Sequence, residues 1–175
     1  MEILISSVKN PRLKAAAELR ERKARDESGR FLIDGQREIL RAVAAGVELL
    51  ELYECGETVE LPPSASPQRY RVAPAAFSKL AYGDRTRGTT AVARHFPLDL
   101  GRFNAANMRR LCIYAGVEKP GNVGALLRTA DAAGIDGVIL ADARTDPFNP
   151  NVVRASAGAL FTAPLAAASA AETLE

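Results

Sequence analysis

The stretch LCIYAGVEKPGNVGALLRTADAAGIDGVILA, residues 111–141, decides the fold of the second half of the chain. Its two ends, Leu111–Ala115 and Val138–Ala141, are short continuous apolar runs, which are typical of buried parallel strands. The segment between them, Gly121–Gly134, carries apolar residues at helical spacing, at Val123, Leu126, Leu127 and Ala130. Strand, helix and strand in this order predict a βαβ unit, with a parallel sheet and a right-handed crossover.

The turn between the first strand and the helix is a candidate binding site. Residues 116–128 read GVEKPGNVGALLR, and we expect the helix to open at Gly121–Asn122. The first backbone N–H groups of a helix are unpaired and carry the positive end of its dipole, which suits an anion or a carbonyl oxygen. Alternatively, Asn122 only caps the helix and the glycines only form the turn. The glycine spacing matches neither GxGxxG nor a P-loop, which argues against a nucleotide-binding enzyme of the Rossmann type or an NTPase.

Two arginines follow this turn on predicted helices. Arg128 falls about 140° from Val123 on a helical wheel, so we expect it to be exposed or to face a cleft. The later stretch DPFNPNVVRASAG, residues 146–158, places Arg154 and Ser156 after a loop rich in proline and asparagine. Both segments could present groups to a phosphate. The alternative is that Arg128 is a solvated helix residue and that the small residues after Arg154 serve close helix packing.

The first 95 residues alternate strand and helix patterns and predict a small α/β domain. Its expected elements are a helix at Asn10–Asp26, a strand at Phe31–Asp34, a helix at Gln36–Ala45, a strand at Leu49–Tyr53, a short helix at Ala75–Ala81 and a strand at Thr89–Arg94. Residues 96–107 contain proline, glycine and asparagine without clear periodicity, which predicts a linker. Residues 108–175 then form a second domain, with a further helix at Asn149–Ser156 and a third strand starting within Phe161–Leu165.

Composition narrows the class of protein. The chain has 175 residues, of which 47% are hydrophobic and 25% charged, which is ordinary for a globular protein. Two cysteines and one histidine are too few for a disulfide scaffold or a common metal site, so we expect no metal. The N-terminal segment lacks the apolar core of a signal peptide, and no apolar run is long enough to span a membrane. We therefore expect a cytoplasmic protein that does not enter a membrane.

The charge is unevenly distributed. Residues 1–130 hold 21 of the 23 Lys and Arg but 15 of the 21 Asp and Glu, a net charge of +6, whereas residues 131–175 have a net charge of −4. Arginine supplies most of the positive charge, and its planar guanidinium suits phosphate. A basic front section is compatible with nucleic acid as a partner, although a solvated surface accounts for charge of this size as well.

Two segments together resemble a known family. VEKPGNVGALLRTADAAGIDGVIL, residues 117–140, and NPNVVRASAGALFTAPL, residues 149–165, look like the SpoU (TrmH-type) RNA 2′-O-ribose methyltransferases of the SPOUT superfamily. The front section, through SSVKN at 6–10, FLIDG at 31–35 and GTTAVA at 88–93, resembles the L30e-like RNA-binding domain that many members carry first. The resemblance implies an α/β chain in which a small L30e-like domain precedes the first part of a parallel-sheet SPOUT domain.

The resemblance also implies a function and site residues. Members transfer a methyl group from S-adenosylmethionine to a ribose 2′-hydroxyl of rRNA or tRNA, and they form homodimers. Asn122 and Arg128 occupy the hallmark positions of the first motif, which makes them the catalytic candidates. Arg154 and Ser156 are candidates for contact with RNA phosphate. In the front domain, the RNA-binding candidates are basic residues at its start and in the loop GDRTRG, residues 83–88, namely Lys9, Arg12, Arg30, Arg85 and Arg87.

The resemblance stops short of two further motifs. Family members continue with a motif containing glycine and glutamate and then with a serine–leucine–asparagine motif, which form the knot that holds S-adenosylmethionine. Nothing after Leu165 matches them, so we expect most of the methyl-donor pocket to be absent from these residues and the chain to be part of a longer protein. Two alternatives remain open, namely a non-catalytic L30e-like RNA-binding protein and a Rossmann-like enzyme that uses another nucleotide.

Overall fold

A computed structural model describes residues 3–103 and 108–175, apart from the side chain of residue 84. The chain divides into two compact units, Met1–His95 and Phe96–Glu175. The predicted α/β class, with a small N-terminal domain ahead of a parallel sheet, is confirmed.

The N-terminal unit is a five-stranded mixed sheet with helices on its faces. Its strands are β1 (Ile3–Ile5), β2 (Arg30–Asp34), β3 (Leu49–Cys55), β4 (Gln68–Val72) and β5 (Gly88–Arg94), and its helices are α1 (Pro11–Glu18), α2 (Arg22–Ser28), α3 (Gln36–Ala44) and α4 (Pro74–Phe77). The strand order is β1-β4-β3-β5-β2. Strands β1, β4 and β3 run parallel, and β5 is antiparallel to both β3 and β2.

Side chains alternate across this sheet and give it two buried faces. One face forms a core that includes Leu13 of α1, Tyr53, Tyr70 and Val92 of the sheet, and Phe77 of α4. Strand residues of the opposite parity are equally buried on the other face, where α3 contacts β2 and β5.

The C-terminal unit is a three-stranded parallel sheet with helices. Its strands are β6 (Leu111–Ala115), β7 (Gly137–Ala141) and β8 (Leu165–Ala168), in that order across the sheet. Its helices are α5 (Pro120–Ala132), α6 (Pro150–Ala155), α7 (Ala159–Thr162) and α8 (Ala170–Leu174). The β6–α5–β7 unit is the one predicted from residues 111–141, and every residue of the central strand β7 is buried. The prediction that Leu111–Ala115 is a buried strand was wrong, because β6 is an edge strand whose Leu111 and Ile113 are 45% and 49% exposed.

The start of β6 is fixed by Asp136, which precedes β7. Its carboxylate accepts hydrogen bonds from the backbone N–H groups of Arg110, at 2.8 Å, and Arg109, at 3.0 Å. These two hydrogen bonds lower the pKa of Asp136 below its ordinary value.

The predicted linker at residues 96–107 falls partly on residues that pack against the C-terminal unit. The ring of Phe96 meets that of Phe148 edge-on, with 5.0 Å between centroids. Arg102 donates from its side chain to the Leu165 carbonyl at 3.1 Å, and the Leu98 carbonyl accepts from the backbone N–H of Ala167 at 2.7 Å. Residues 104–107 of the predicted linker lie outside the described residues.

The predicted elements differ from the structure in four main respects. The single helix expected at Asn10–Asp26 is two helices, because the chain turns at residues 19–21 between α1 and α2. Strands β1 and β4 were not predicted. The third strand of the parallel sheet is Leu165–Ala168, and most of the stretch assigned to it, including Phe161, belongs to α7 or the turn that follows. The fourth case is α8, a final helix with a Ser169–Glu172 capping box, which was also missed.

Candidate functional site

The first half of α5 packs directly on the end of α6. Gly124 makes this approach possible, because a Cβ atom placed on it would lie 2.4 Å from the Cβ of Ala155 and 2.8 Å from the backbone nitrogen of Ser156. Ser156 is fully buried, and its Oγ donates to the Val153 carbonyl at 2.7 Å. The hydroxyl is therefore not accessible to a phosphate, contrary to the prediction that Ser156 contacts RNA phosphate.

Arg128 lies on one side of the contact between α5 and α6, and its side chain is exposed. Its Nη1 donates to the carbonyl oxygen of Ala155, the last residue of α6. A cation at the C-terminal end of a helix interacts favourably with the helix dipole and with the unpaired carbonyls there. The contact leaves the remaining N–H groups of the guanidinium on an exposed side chain, where they are able to meet a ligand.

The other two candidates of this region are also exposed. Asn122 lies in the first turn of α5, and its backbone N–H bonds to the Lys119 carbonyl at 3.0 Å, so Lys119 rather than Asn122 is the N-cap. Six residues of helix separate Asn122 from Arg128, about 9 Å along the axis. Arg154 lies in the last turn of α6, one residue before the carbonyl that holds Arg128. The structure thus places Arg128 and Arg154 around the same helix end.

The chain leaves α6 through two residues with left-handed backbone. Ala157 has a φ of 51° and Gly158 a φ of 92°. A left-handed conformation costs a residue with a Cβ atom about 1–2 kcal/mol, so the surrounding packing must hold Ala157 in place. The turn ends α6 abruptly and leaves the Ala155 carbonyl facing Arg128.

The loops that follow β6 and β7 are tied to each other. The Arg144 side chain pairs with the Glu118 carboxylate at 2.7 Å, and its backbone N–H donates to the Val117 carbonyl at 3.0 Å. Thr145 adds a hydrogen bond from its hydroxyl to the Glu118 carbonyl. The turn between β6 and α5, which the sequence indicated as a candidate binding site, is therefore held in place by the loop that follows β7.

In the N-terminal unit, the basic loop at residues 82–88 is anchored at both ends. Arg85 pairs with the Asp34 carboxylate at the end of β2, and Thr90 donates to the same carboxylate at 2.9 Å. Arg87 donates to the Gly56 carbonyl at 3.2 Å. Both arginines remain exposed, but the charge of Arg85 is compensated by its partner, so Arg87 presents the less compensated cation.

The exposed side chain of Arg12 belongs to a cluster with two buried tyrosines that the sequence did not reveal. Its Nη1 lies 2.6 Å from the Oε1 of Glu51, and its guanidinium lies over the Tyr70 ring at 5.1 Å from the centroid. The Tyr53 hydroxyl donates to the other Glu51 oxygen at 2.6 Å, and the rings of Tyr53 and Tyr70 stack with 5.2 Å between centroids. Burial first, and then the hydrogen bond to Glu51, raise the pKa of Tyr53, so the phenol stays protonated and donates.

The basic candidates of this unit form two separate groups. Arg12 and Arg30 line one cavity at the start of β2, whereas Arg85 meets Asp34 at its far end, about 13 Å away along the strand. Lys9 is exposed just before α1. Glu51 was missed because its partner Arg12 is 39 residues away in sequence, and no local pattern links them.

Comparison with known proteins agrees with this division. Residues 10–91 match the MRM3-like substrate binding domain, and residues 110–175 match the SpoU rRNA Methylase family. A crystal structure of an RNA 2′-O ribose methyltransferase superposes with a TM-score of 0.81 at 39% identity, over 98% of this chain and 68% of that one. An AdoMet-bound rRNA methyltransferase from Sinorhizobium meliloti superposes with a TM-score of 0.84 at 26% identity, over 98% and 66% of the two chains.

A relative in Bacillus subtilis, the 23S rRNA (guanosine(2553)-2′-O)-methyltransferase RlmP, is 31% identical over 163 residues, which are 92% of this chain and 63% of RlmP. The chain belongs to the SpoU family of RNA methyltransferases. It spans 63%, 53% and 60% of the length of three curated relatives that it matches.

Within 3–103 and 108–175, no helix combines the length and the apolar character that crossing a membrane requires. In the same residues, no group of three or more His, Cys, Asp or Glu side chains is arranged to hold a metal ion.

Proposed function

We propose that this chain binds RNA and positions the acceptor ribose in a methyltransferase that modifies a 2′-hydroxyl of rRNA or tRNA. The observation that carries the proposal is the exposed Arg128, held by the Ala155 carbonyl beside Arg154 in a chain of the SpoU family. Two guanidinium groups around one helix end form a site for phosphate and for a polar ribose, which is what an RNA backbone presents.

Each residue of this site has a chemical role in the proposal. As the 2′-oxygen bonds to the methyl carbon, the bond from that carbon to the donor sulfur would break and leave a neutral thioether, and the hydroxyl proton would pass to solvent. Until it loses that proton, the hydroxyl is a poor nucleophile. The guanidinium of Arg128 donates hydrogen bonds and offers no acceptor, so it acts by orienting the hydroxyl and stabilising the charge that develops on its oxygen. Arg154 binds the adjacent phosphate, and Asn122 contacts the ribose from the first turn of α5.

S-adenosylmethionine supplies the electrophilic methyl group in this proposal, as the AdoMet-bound relative suggests. The polar side chains described at the carboxyl edge of the parallel sheet do not fit it. Asp142 accepts a hydrogen bond from the Ala170 N–H at 3.1 Å, and Ser169 caps the same helix, α8. These groups are committed to the fold, and we assign no residue of this chain to the methyl donor.

The N-terminal unit is proposed to bind the RNA outside the reacting nucleotide. Its candidate phosphate contacts are the exposed cations Lys9, Arg12, Arg30, Arg85 and Arg87. Because Arg12 and Arg85 each pair with a carboxylate, and Arg30 lines a cavity together with three glutamates, the proposal assigns the stronger phosphate contacts to Lys9 and Arg87. The protein is further proposed to act as a homodimer in the cytoplasm. Sedimentation equilibrium of the purified protein would measure the dimer directly.

The test of the proposal is methyl transfer from S-adenosylmethionine to ribosomal RNA by the protein that carries this chain. Arg128→Ala is expected to lower the rate at least 100-fold, since it removes charge stabilisation at the reacting oxygen. Arg110→Ala is the matched control, because Arg110 is an exposed arginine of the same unit whose Nη1 also donates to a carbonyl at a helix end, that of Ala133, at 3.3 Å. Full activity of Arg128→Ala, with an unchanged melting temperature, would remove Arg128 from the mechanism.

A second candidate function is RNA binding without catalysis by this chain. The observation that favours it is the commitment of Asp142 and Ser169 to capping α8, which leaves no described donor set for S-adenosylmethionine. Calorimetric titration of S-adenosylmethionine into the 175-residue chain separates the two functions. One-to-one binding favours the first function and makes the chain a candidate enzyme, whereas the absence of heat with retained RNA binding favours the second function.

A further inference from the structure

A cavity of about 540 Å³ opens between α1, α2 and the sheet of the N-terminal unit. Its volume falls within the range of about 300–1,000 Å³ typical of small-molecule sites. Buried apolar residues form part of its wall, namely Ala16, Leu19 and Val92. Polar side chains stand around it, with Arg12 and Glu51 as one pair and Arg30 at the start of β2.

The charge of the lining excludes phosphate as the occupant. Two cations, Arg12 and Arg30, face three carboxylates, Glu18, Glu27 and Glu51. With all five groups ionised the lining has a net negative charge, which repels an anion. A group that donates hydrogen bonds, whether neutral or cationic, is favoured instead.

Glu51 is the acceptor in this cavity. Its side chain is only 14% exposed, and each carboxylate oxygen already accepts one hydrogen bond, from Arg12 and from the Tyr53 hydroxyl. A carboxylate has about four lone-pair positions, so each oxygen retains the capacity to accept one more. Two parallel N–H donors, spaced as on the edge of a planar ligand, match this arrangement.

Arg12 supplies a flat surface beside that acceptor. The central carbon of its guanidinium lies over the Tyr70 ring, at 5.1 Å from the centroid, and that ring stacks on Tyr53 with 5.2 Å between centroids. The Arg12 side chain is 52% exposed, which leaves the guanidinium able to stack on a further planar group. Guanidinium planes are common stacking partners for unstacked RNA bases.

We propose that this cavity binds a guanine base of unpaired RNA, with Glu51 accepting from its N1–H and N2–H groups and Arg12 stacking on its ring. Guanine alone among the four bases presents two adjacent donors on its pairing edge. Adenine and cytosine place an acceptor next to their donor, and uracil flanks one donor with two carbonyls. The inference rests on the proposed function, because it takes RNA as the partner and gives its N-terminal unit a base to read.

The experiment titrates mononucleotides into the isotopically labelled 175-residue chain and follows backbone amides by NMR. GMP is expected to bind with a Kd on the order of 1 mM and to shift amides of α1 and those flanking Glu51 and Val92. AMP, CMP and UMP share its phosphate and are expected to bind at least 10-fold more weakly. IMP, which lacks only the 2-amino group, is expected to lose about 10-fold relative to GMP.

Two variants test the residues. Glu51→Gln places an amide donor against the donors of guanine and is expected to weaken GMP binding at least 10-fold. Its matched control is Glu48→Gln, since Glu48 is an exposed carboxylate that pairs with Arg94 at 2.6 Å and does not line the cavity. Ala15→Trp fills the cavity from an exposed position of α1, so it is expected to abolish GMP binding without disturbing the core.

Several outcomes overturn the inference. Equal binding of GMP and AMP, shifts away from the cavity, or equal behaviour of the two glutamine variants each exclude a guanine site. Tighter binding of N-acetyl-arginine amide than of GMP would assign the cavity to a protein partner. If an rRNA fragment binds the chain while GMP does not, this inference fails alone. If the chain does not bind the rRNA fragment, and the protein that carries the chain does not methylate rRNA, the proposed function is contradicted instead.

Discussion

At the scale of single residues, Arg25 shows how a charged side chain becomes part of the core. It is 1% exposed, and its Nη1 donates to the carbonyls of Leu19 at 2.9 Å and Arg20 at 2.7 Å. These carbonyls belong to the turn between α1 and α2, where the helical hydrogen-bond pattern is interrupted. Arg25 therefore satisfies acceptors that the break in the helix would otherwise leave buried and unpaired.

Replacement of Arg25 tests its contribution to stability. Arg25→Met keeps an elongated side chain but removes both hydrogen bonds, and it is expected to lower the free energy of unfolding by about 2–4 kcal/mol. Arg22→Met is the control, because Arg22 is an exposed residue of the same helix and pairs with Asp26. It is expected to change stability by less than about 0.5 kcal/mol. Urea unfolding with a common slope measures both, and equal midpoints would show that Arg25 is dispensable.

The same scale shows where prediction of the site from sequence stops. The helical wheel places Arg128 away from the apolar stripe, and its side chain is exposed in the structure. Its partner, the Ala155 carbonyl, is 27 residues away and is set by helix packing, which no local pattern encodes. Ser156 lies two residues after Arg154, but it is fully buried and its hydroxyl donates to the Val153 carbonyl.

At the scale of elements, the βαβ unit was predictable because its signals are local and dense. Each strand of residues 111–141 is a continuous apolar run, and the helix between them repeats its apolar residues at one spacing. Strand β4, QRYRV, has mostly polar side chains and is a strand because β1 and β3 pair with it on both sides. Strand β8, LAAA, has weak intrinsic β propensity and is held by its ladder to β7.

A prediction at this scale concerns the contact between α5 and α6. Gly124→Ala is expected to destabilise the chain by about 1–3 kcal/mol, because the new methyl group meets Ala155 and the Ser156 backbone. Separation of the helices also withdraws the Ala155 carbonyl from Arg128, so methyl transfer is expected to fall together with stability.

Gly121→Ala is the matched control on the same helix. A Cβ atom at Gly121 would meet nothing within 4 Å, so alanine is expected to be neutral or to stabilise by up to about 1 kcal/mol through its better helix propensity. Thermal unfolding of the two variants compares them directly. A melting temperature for Gly124→Ala at or above that of Gly121→Ala would contradict the packing argument.

At the scale of the whole molecule, the two units differ in charge as well as in fold. Residues 1–95 carry 16 Lys and Arg against 13 Asp and Glu, whereas residues 96–175 carry 7 against 8. The sequence alone gives these totals. It could not show which cations are compensated, because pairs such as Arg85–Asp34 and Arg94–Glu48 join residues more than 40 positions apart.

The last prediction follows from that compensation and concerns the salt dependence of RNA binding. Each phosphate contact contributes about 0.7–0.9 to the slope of log K against log salt concentration, because binding releases a counterion. Arg87→Ala is expected to lower the slope by about that amount, since its guanidinium pairs only with a neutral carbonyl among the contacts described here. Arg85→Ala is expected to lower it less, because Asp34 already compensates its charge. Arg94→Ala, an exposed arginine paired with Glu48, serves as the control. Fluorescence anisotropy with a labelled rRNA fragment at several salt concentrations gives the slopes, and an unchanged slope in the Arg85→Ala, Arg87→Ala double variant would show that this loop does not touch phosphate.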